Sequence, residues 1–224
     1  MKPPDRSIDN GGPSLEMLGT VGIAGVSYFF ATILAMHFIQ PGLRPVDHTI
    51  SEYALGRWGW LMTLGWVVGG VAVLALALGL RRSLTPSTTV RVSIGLMVLS
   101  GLVGFIASGL FRTDVPDAEG ITGYTGSGQL HDVAGLIGFL ALLVGAFILA
   151  TVFAQDPRWS PMAGPTRWFA WAMLGWLVVR VAVAVAQLVG SGGLVQRIVW
   201  PIMLGWLALV GWRMRRLGRT AVVK

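Results

Sequence analysis

Six long apolar stretches, separated by short polar segments rich in proline and glycine, constrain the fold of this chain more than any other feature. A helix needs roughly 20 apolar residues to cross the hydrocarbon core of a bilayer. Hydrophobic residues make up 54% of the 224 positions and charged residues only 12%, about half the charged share of soluble domains. The sequence therefore predicts an all-α, polytopic bundle of six transmembrane helices, with spans near residues 15–38, 58–80, 90–110, 131–153, 167–189 and 194–212.

The apolar stretches leave no room for a separate soluble domain. Residues 1–14 carry proline, glycine and aspartate without apolar periodicity, so we predict a flexible tail there. A six-helix transmembrane domain should follow at 15–213, and 214–224 should form a basic tail. The absence of cysteine excludes disulfides, thiolate metal sites and a cysteine nucleophile.

Basic residues are distributed unequally between the two ends of the predicted spans. Twelve of the seventeen lysines and arginines lie in the two tails or beside the second and fourth connections. Because lysine and arginine near span ends are retained in the cytoplasm, both termini are predicted to be cytoplasmic. The same topology explains the net charge of +7, and we therefore expect no nucleic-acid partner.

The first outer connection concentrates polar side chains. If it is helical, His48 and Glu52 lie one turn apart, as do Asp47 and Ser51, and this face would suit a bound cation or proton transfer. A structural alternative is a capping box, in which Thr49 and Glu52 satisfy backbone donors at a helix start. No Gly-x-Ser-x-Gly elbow surrounds Ser51, which argues against a nucleophile of the familiar α/β-hydrolase kind.

The second outer connection contributes Asp114 and, at the start of the fourth predicted span, His131 and Asp132. The imidazole of His131 is a candidate metal ligand or proton carrier, although a histidine at a headgroup boundary also serves simply as an interfacial polar group. Asp132 in a first helical turn would suit the helix dipole without any further role. The glycine-rich residues 123–128 lack the lysine of a phosphate loop.

Arg180 is the ionisable residue placed deepest in a predicted span. It lies nine positions before the expected outer end of the fifth span, which is roughly 13 Å at 1.5 Å per residue. A charge at that depth normally finds a partner in the bundle, and Glu52, Asp114 and Asp132 are the candidates. Two interpretations follow: a structural salt bridge, or a contact with an anionic substrate.

Cofactor chemistry is limited by the three histidines of the chain. His48, His131 and Asp114 are the candidate ligands of a divalent metal with open water positions. One haem between His37 and His131 is conceivable but not expected, because nothing besides their number favours it.

The chain resembles a prokaryotic integral-membrane family known as domain of unknown function nine-nine-eight. The resemblance rests on Asp47 to Tyr53, on Gly109-Leu110-Phe111 with Asp114, and on His131 opening the next span. Arg112 stands where a proline is expected after the phenylalanine. The resemblance implies a multi-pass protein of the cytoplasmic membrane and supplies no activity.

A weaker likeness is to membrane-embedded lipid hydrolases of the alkaline ceramidase and progestin–adiponectin receptor type, which use serine, aspartate and several histidines around zinc. The late His-x-x-x-His pair of that zinc site is missing here. We therefore predict an outer-facing polar pocket in which His131, Asp114, Glu52 and Ser51 act on a lipid or anionic amphiphile held by Arg180, with metal assistance. The alternatives are a transporter or ligand-binding bundle and a structural, partner-binding membrane subunit.

Overall fold

A computed structural model describes residues 13–115, 125–186 and 192–222 of the chain. Six helices in these ranges are long and apolar enough to cross a membrane, as predicted, so the protein is a multi-pass helical membrane protein. Two short 3-10 turns, Ser51–Ala54 and Ser160–Met162, lie between them. The helices are α1 (Leu15–Ile39), α2 (Gly59–Ser83), α3 (Thr88–Leu110), α4 (Gly126–Gln155), α5 (Ala163–Val185) and α6 (Gly192–Val222).

Two helix ends differ from the prediction in ways that affect candidate residues. Helix α4 begins at Gly126, so Asp132 lies in its second turn rather than its first, and the prediction that Asp132 serves the helix dipole is wrong. Helix α5 ends at Val185. Arg180 therefore lies only five residues before that end, about 8 Å along the axis rather than about 13 Å.

The two predicted tails overlap the described residues only in part. Of the tail at 1–14, only Pro13 and Ser14 are described, and the remainder lies outside the described residues. The basic residues after position 213 continue α6 as helix as far as Val222. Thus most of the predicted C-terminal tail is an extension of the last span.

Side-chain caps fix three of the helix starts. The Ser14, Ser87 and Thr125 hydroxyls each accept a hydrogen bond of 3.1 Å from the backbone N–H three residues later, at the starts of α1, α3 and α4. Such caps satisfy donors that have no partner within the helix. Polar residues between the apolar stretches therefore set where each span begins.

The six helices form a ring in chain order. Each helix packs against its neighbours in sequence, and α6 closes the ring by packing along α1. Four aromatic rings, one each from α1, α2, α3 and α6, meet in the middle with centroids 4.8–5.9 Å apart. They are Phe29, Trp66, Phe105 and Trp200, and we call them the aromatic cluster.

A close contact between two glycines brings α3 and α4 together. A Cβ atom added to Gly138 would lie 2.0 Å from the Cα atom of Gly104, so no side chain fits at this crossing. Around Gly104 the helix widens into π geometry from Ser100 to Ala107. One turn beyond Gly104 lies Ser108, and two turns before Gly138 lies His131, so the glycine contact places these two residues side by side.

Candidate functional site

Arg197 of α6 holds the connection between α1 and α2 in place. Its Nε donates to Nε2 of His37 at 3.1 Å, and its Nη2 donates to the Tyr53 hydroxyl at 2.9 Å. Its Nη1 donates to the carbonyl oxygens of Pro45 and His48 at 2.7 and 2.6 Å. One guanidinium thus ties α1, the connection and α6 together, which the planar fork of arginine allows and an ammonium group would not.

The neighbouring residue Gln196 fixes the start of the 3-10 turn. Its Oε1 accepts a 2.7 Å hydrogen bond from the backbone N–H of Ile50. Because that donor requires the amide oxygen, the NH₂ group of Gln196 is the part of the side chain left for other partners. Ser51 follows directly, and its side chain points inward at 6% exposure.

Ser51 meets His131 across the ring. The Ser51 Oγ lies 2.9 Å from Nε2 of His131, although 80 residues separate them in sequence. His131 is 8% exposed, so both side chains are shielded from bulk solvent. The hydrogen bond therefore joins two buried residues whose separate positions along the chain gave no reason to pair them.

The hydrogen bonds of His131 determine which ring nitrogen carries the proton. Its Nδ1 lies 2.7 Å from the carbonyl oxygen of Ser108 and 3.2 Å from that of Phe111. A carbonyl oxygen only accepts, so in the neutral ring the proton resides on Nδ1. Nε2 then presents a lone pair, and the Ser51 hydroxyl donates to it.

The end of α3 supplies those carbonyl oxygens. The helical partner of the Ser108 carbonyl would be the N–H of Arg112, but that N–H donates instead to the Ser127 hydroxyl at 2.8 Å. The Ser127 hydroxyl in turn donates to the Arg112 carbonyl at 3.1 Å. The last carbonyls of a helix have no donor within it, so the Ser108 and Phe111 carbonyl oxygens are available to accept from Nδ1 of His131.

Both residues of the pair open onto a cavity of about 320 Å³ inside the ring, between the aromatic cluster and α4, α5 and α6. Most of its lining is apolar or aromatic, including Trp66, Phe139, Trp176, Trp200 and Met203. The polar side chains that line it are Ser51, Ser100, Ser108, His131, Asp132, Arg180 and Gln196. A mostly apolar cavity with a few convergent polar groups is the usual character of a small-molecule site.

Glu52 lies beside the pair but faces away from it. Its Oε1 accepts from the Thr49 N–H at 2.8 Å, which is one half of the predicted capping box, and from the Thr49 hydroxyl at 2.9 Å. The other half is absent, because that hydroxyl does not accept from the Glu52 N–H, which donates to the Thr49 carbonyl. Its Oε2 lies 2.6 Å from Nδ1 of His48, the residue predicted to share its face. Asp47 pairs instead with the exposed Arg44 at 2.5 Å. None of these side chains lines the cavity.

Asp114 serves the start of α4. Its carboxylate accepts from the Thr125 N–H and hydroxyl at 2.9 and 2.8 Å. Asp132 and Arg180 do line the cavity. Arg180 forms no ion pair with Glu52, Asp114 or Asp132, so its predicted partners are wrong.

The candidate metal ligands do not converge. Within residues 13–115, 125–186 and 192–222 there is no group of three or more histidine, aspartate or glutamate side chains suited to a metal. Nε2 of His131 faces Ser51, Nδ1 of His48 faces Glu52, and Asp114 accepts from Thr125, the cap of α4. Nε2 of His37 is engaged by Arg197, so neither it nor His131 presents that nitrogen to a haem.

Residues 23–213 match the family described as "Protein of unknown function (DUF998)". The chain belongs to this family. The resemblance predicted from the outer connections is thereby confirmed, and the matched part of this DUF998 member includes all of α2 to α5 as well as Ser51, His131, Arg180 and Gln196. No curated protein and no solved structure matches the chain.

Sequence reasoning missed the role of Gln196 and of the Ser108 carbonyl. Gln196 stands beside Arg197 in an otherwise apolar stretch at the start of the last span, and polar side chains in such a place are a signal of a buried polar contact. The Ser108 carbonyl gives no such signal, because its availability depends on the hydrogen bond between Arg112 and Ser127.

Proposed function

We propose that this protein is a membrane-embedded serine hydrolase that cleaves an acyl ester or amide of an amphiphile, with Ser51 as nucleophile and His131 as general base. One observation supports it above all: the Ser51 hydroxyl donates to Nε2 of a histidine whose other nitrogen is held by carbonyl oxygens. That arrangement of nucleophile, base and orienting group is the one that serine hydrolases share on unrelated folds.

In the proposed reaction the Ser51 oxygen attacks the carbonyl carbon of the substrate, and its proton moves to Nε2 of His131. The protonated ring keeps its Nδ1–H on the Ser108 and Phe111 carbonyl oxygens, which take the orienting role of the usual aspartate. The proton then passes to the leaving oxygen or nitrogen as the bond to the acyl carbon breaks. Ser51 is left as an acyl ester.

A water molecule completes the cycle by attacking the acyl ester while His131 accepts its proton; the ester bond breaks, Ser51 regains the proton and the acid leaves. Each attack places negative charge on the substrate oxygen. The NH₂ group of Gln196 is the proposed donor to that oxygen, because its side chain lines the cavity while its Oε1 is bound one residue from Ser51. One such donor is worth roughly 10²–10³ in rate.

The proposal differs from the metal-assisted hydrolase predicted from sequence in the residues that carry the chemistry. Glu52 and Asp114 satisfy backbone donors at helix starts, and the three candidate metal ligands lie in separate contacts, so no step is routed through a metal. Transport or a structural role would use the same cavity residues without a nucleophile. A reagent specific for activated serine therefore separates the proposals.

The test is labelling of the detergent-purified protein with a rhodamine fluorophosphonate, in which the serine oxygen displaces fluoride from phosphorus. We expect one label per chain, located on Ser51 by peptide mass spectrometry and absent in Ser51→Ala. His131→Gln should slow labelling by about a hundredfold or more, since it removes the base. Ser93→Ala is the matched control, because Ser93 is fully buried in α3 but does not line the cavity.

The proposal fails if the folded wild-type protein remains unlabelled, or if labelling persists in Ser51→Ala. Labelling that is equally slow in wild type and His131→Gln would also contradict it, since the hydroxyl would then be no more reactive than an ordinary serine. Size-exclusion profiles and melting temperatures of the variants show that loss of label is not loss of fold.

A further inference from the structure

Two charged residues of opposite sign line the cavity without pairing with each other. Arg180 comes from α5 and Asp132 from α4, and neither occurs in any of the four ion pairs formed by the described residues. A charge within a membrane span costs at least a few kcal/mol on insertion scales. Both side chains are exposed, so each charge is accessible to a ligand that would offset that cost.

Asp132 has no capping role. It is the seventh residue of α4, whose cap is Thr125, and the effect of the helix dipole falls off within the first turn. Its neighbour His131 is already satisfied by Ser51 and the end of α3. Asp132 is exposed and lines the cavity, next in sequence to the proposed base.

Arg180 stands on the least covered helix of the ring. Only 17% of the most apolar part of α5 is buried, compared with 39–56% for the other five spans. Val178, Val179, Val181 and Val185 around Arg180 are exposed. An apolar chain lying against this part of α5 would bring its polar end to Arg180 and to the cavity from the side, within the membrane.

The size of the cavity limits what enters it. A volume of about 320 Å³ is at the lower end of the range for small-molecule sites. It accommodates a polar head and the adjoining ester region, while the apolar chains of a lipid remain beside α5. A lipid placed in this way would enter the cavity from the membrane rather than from water.

We propose that the cavity selects an amphiphile with a zwitterionic head group, whose anionic part binds Arg180 and whose ammonium part binds Asp132. A purely anionic head would meet Arg180 but also face the Asp132 carboxylate, and a neutral head would satisfy neither charge. The inference rests on the proposed function where it names this amphiphile as the substrate. Binding of the amphiphile does not depend on catalysis.

Binding is therefore measured on the Ser51→Ala variant in dodecyl maltoside, by native mass spectrometry during titration with single-chain amphiphiles. Dodecylphosphoethanolamine should bind about 10- to 100-fold more tightly than dodecyl phosphate, the difference expected for one additional charged hydrogen bond. Dodecyl betaine, a zwitterion with a carboxylate, shows whether a phosphate is required or any anion suffices. Either ranking of the two zwitterions keeps the inference, provided that both exceed dodecyl phosphate.

Two substitutions assign the charges. Asp132→Asn should weaken the phosphoethanolamine about tenfold or more without weakening dodecyl phosphate, and Arg180→Gln should weaken both. Arg44→Gln and Asp47→Asn remove an outer pair that does not line the cavity and should change neither affinity.

The inference is overturned if dodecyl phosphate binds as tightly as the zwitterions to the Ser51→Ala protein, a comparison that needs no charge variant to fold. It is also overturned if Asp132→Asn weakens both ligands equally. Selective zwitterion binding without fluorophosphonate labelling of the wild type would retain the binding site and remove the hydrolase. Fluorophosphonate labelling without selective zwitterion binding would retain the hydrolase and remove the zwitterion site.

Discussion

The guanidinium of Arg197 should be the largest single polar contribution to the stability of the end of the bundle where α1 meets α2. It donates to His37, Tyr53 and the Pro45 and His48 carbonyls at 2.6–3.1 Å, and it lies over the Tyr53 ring at 5.4 Å. Arg197→Met removes all of these contacts at once. It leaves the buried Tyr53 hydroxyl and the His37 ring without their charged donor.

The expected magnitude follows from the number and burial of these contacts. A hydrogen bond to a charged group contributes about 1.5–3 kcal/mol, but the carbonyl acceptors near the surface regain water when the arginine is lost. The part-buried acceptors on His37 and Tyr53 each lose a charged donor, and we expect these two hydrogen bonds to account for a loss of about 3–5 kcal/mol. For a chain of this length it corresponds to a fall in melting temperature of about 6–20 °C.

Thermal unfolding in a neutral detergent micelle, followed by intrinsic tryptophan fluorescence, measures the change. Tyr53→Phe removes only one of these hydrogen bonds, worth about 1.5–3 kcal/mol, so it should lower the melting temperature by about 3–12 °C, less than Arg197→Met does. Arg44→Met is the control, because the Arg44 side chain is 77% exposed and surface ion pairs contribute about 0–1 kcal/mol. If Arg197→Met unfolds within 2 °C of the Arg44→Met control, about the effect of one ordinary contact, Arg197 does not hold the connection.

Two further predictions concern helix packing and topology. Gly138→Ala should destabilise the protein by about 1–3 kcal/mol and slow fluorophosphonate labelling, because its Cβ would meet Gly104. Gly175→Ala is the control and should do neither, because no atom lies within 4 Å of the added Cβ. Equal effects of the two substitutions on the melting temperature would contradict the close crossing. The chain has no cysteine, so a single introduced cysteine reports its own side of the membrane. Arg57→Cys should react with a membrane-impermeant maleimide on intact cells, and Arg219→Cys should react only after permeabilisation. The reverse pattern would show that the predicted topology is inverted.

The six spans were predictable because bilayer thickness imposes a length and composition that apolar stretches display directly. Errors arose at helix ends, where side-chain caps decide. Thr125 caps α4, which begins at Gly126, five residues before the predicted boundary at position 131. Asp132 therefore lies in the second turn rather than the first. The pattern of apolar residues does not indicate where such caps lie, because a capped helix can begin within a polar segment.

The candidate site was predictable in its members but not in its contacts. His131, Ser51 and Asp132 were named from the predicted connections and Arg180 from its depth in the fifth span, and all four line one cavity. The pairing of Ser51 with His131 depends on the glycine crossing between α3 and α4 and on the anchoring of the 3-10 turn. Those are long-range packing relations, and a single sequence with no nucleophile elbow does not encode them in any local pattern.

The use of carbonyl oxygens rather than a carboxylate behind His131 is consistent with a site inside a membrane. A buried carboxylate would cost several kcal/mol to bring into an apolar interior unless its partner were always charged. The Ser108 and Phe111 carbonyls already exist at the end of α3, and they hold the neutral ring in the tautomer that leaves Nε2 open to Ser51. In the proposed reaction the imidazolium forms only transiently, so partial charges that cost nothing in the resting protein stabilise it when it is needed.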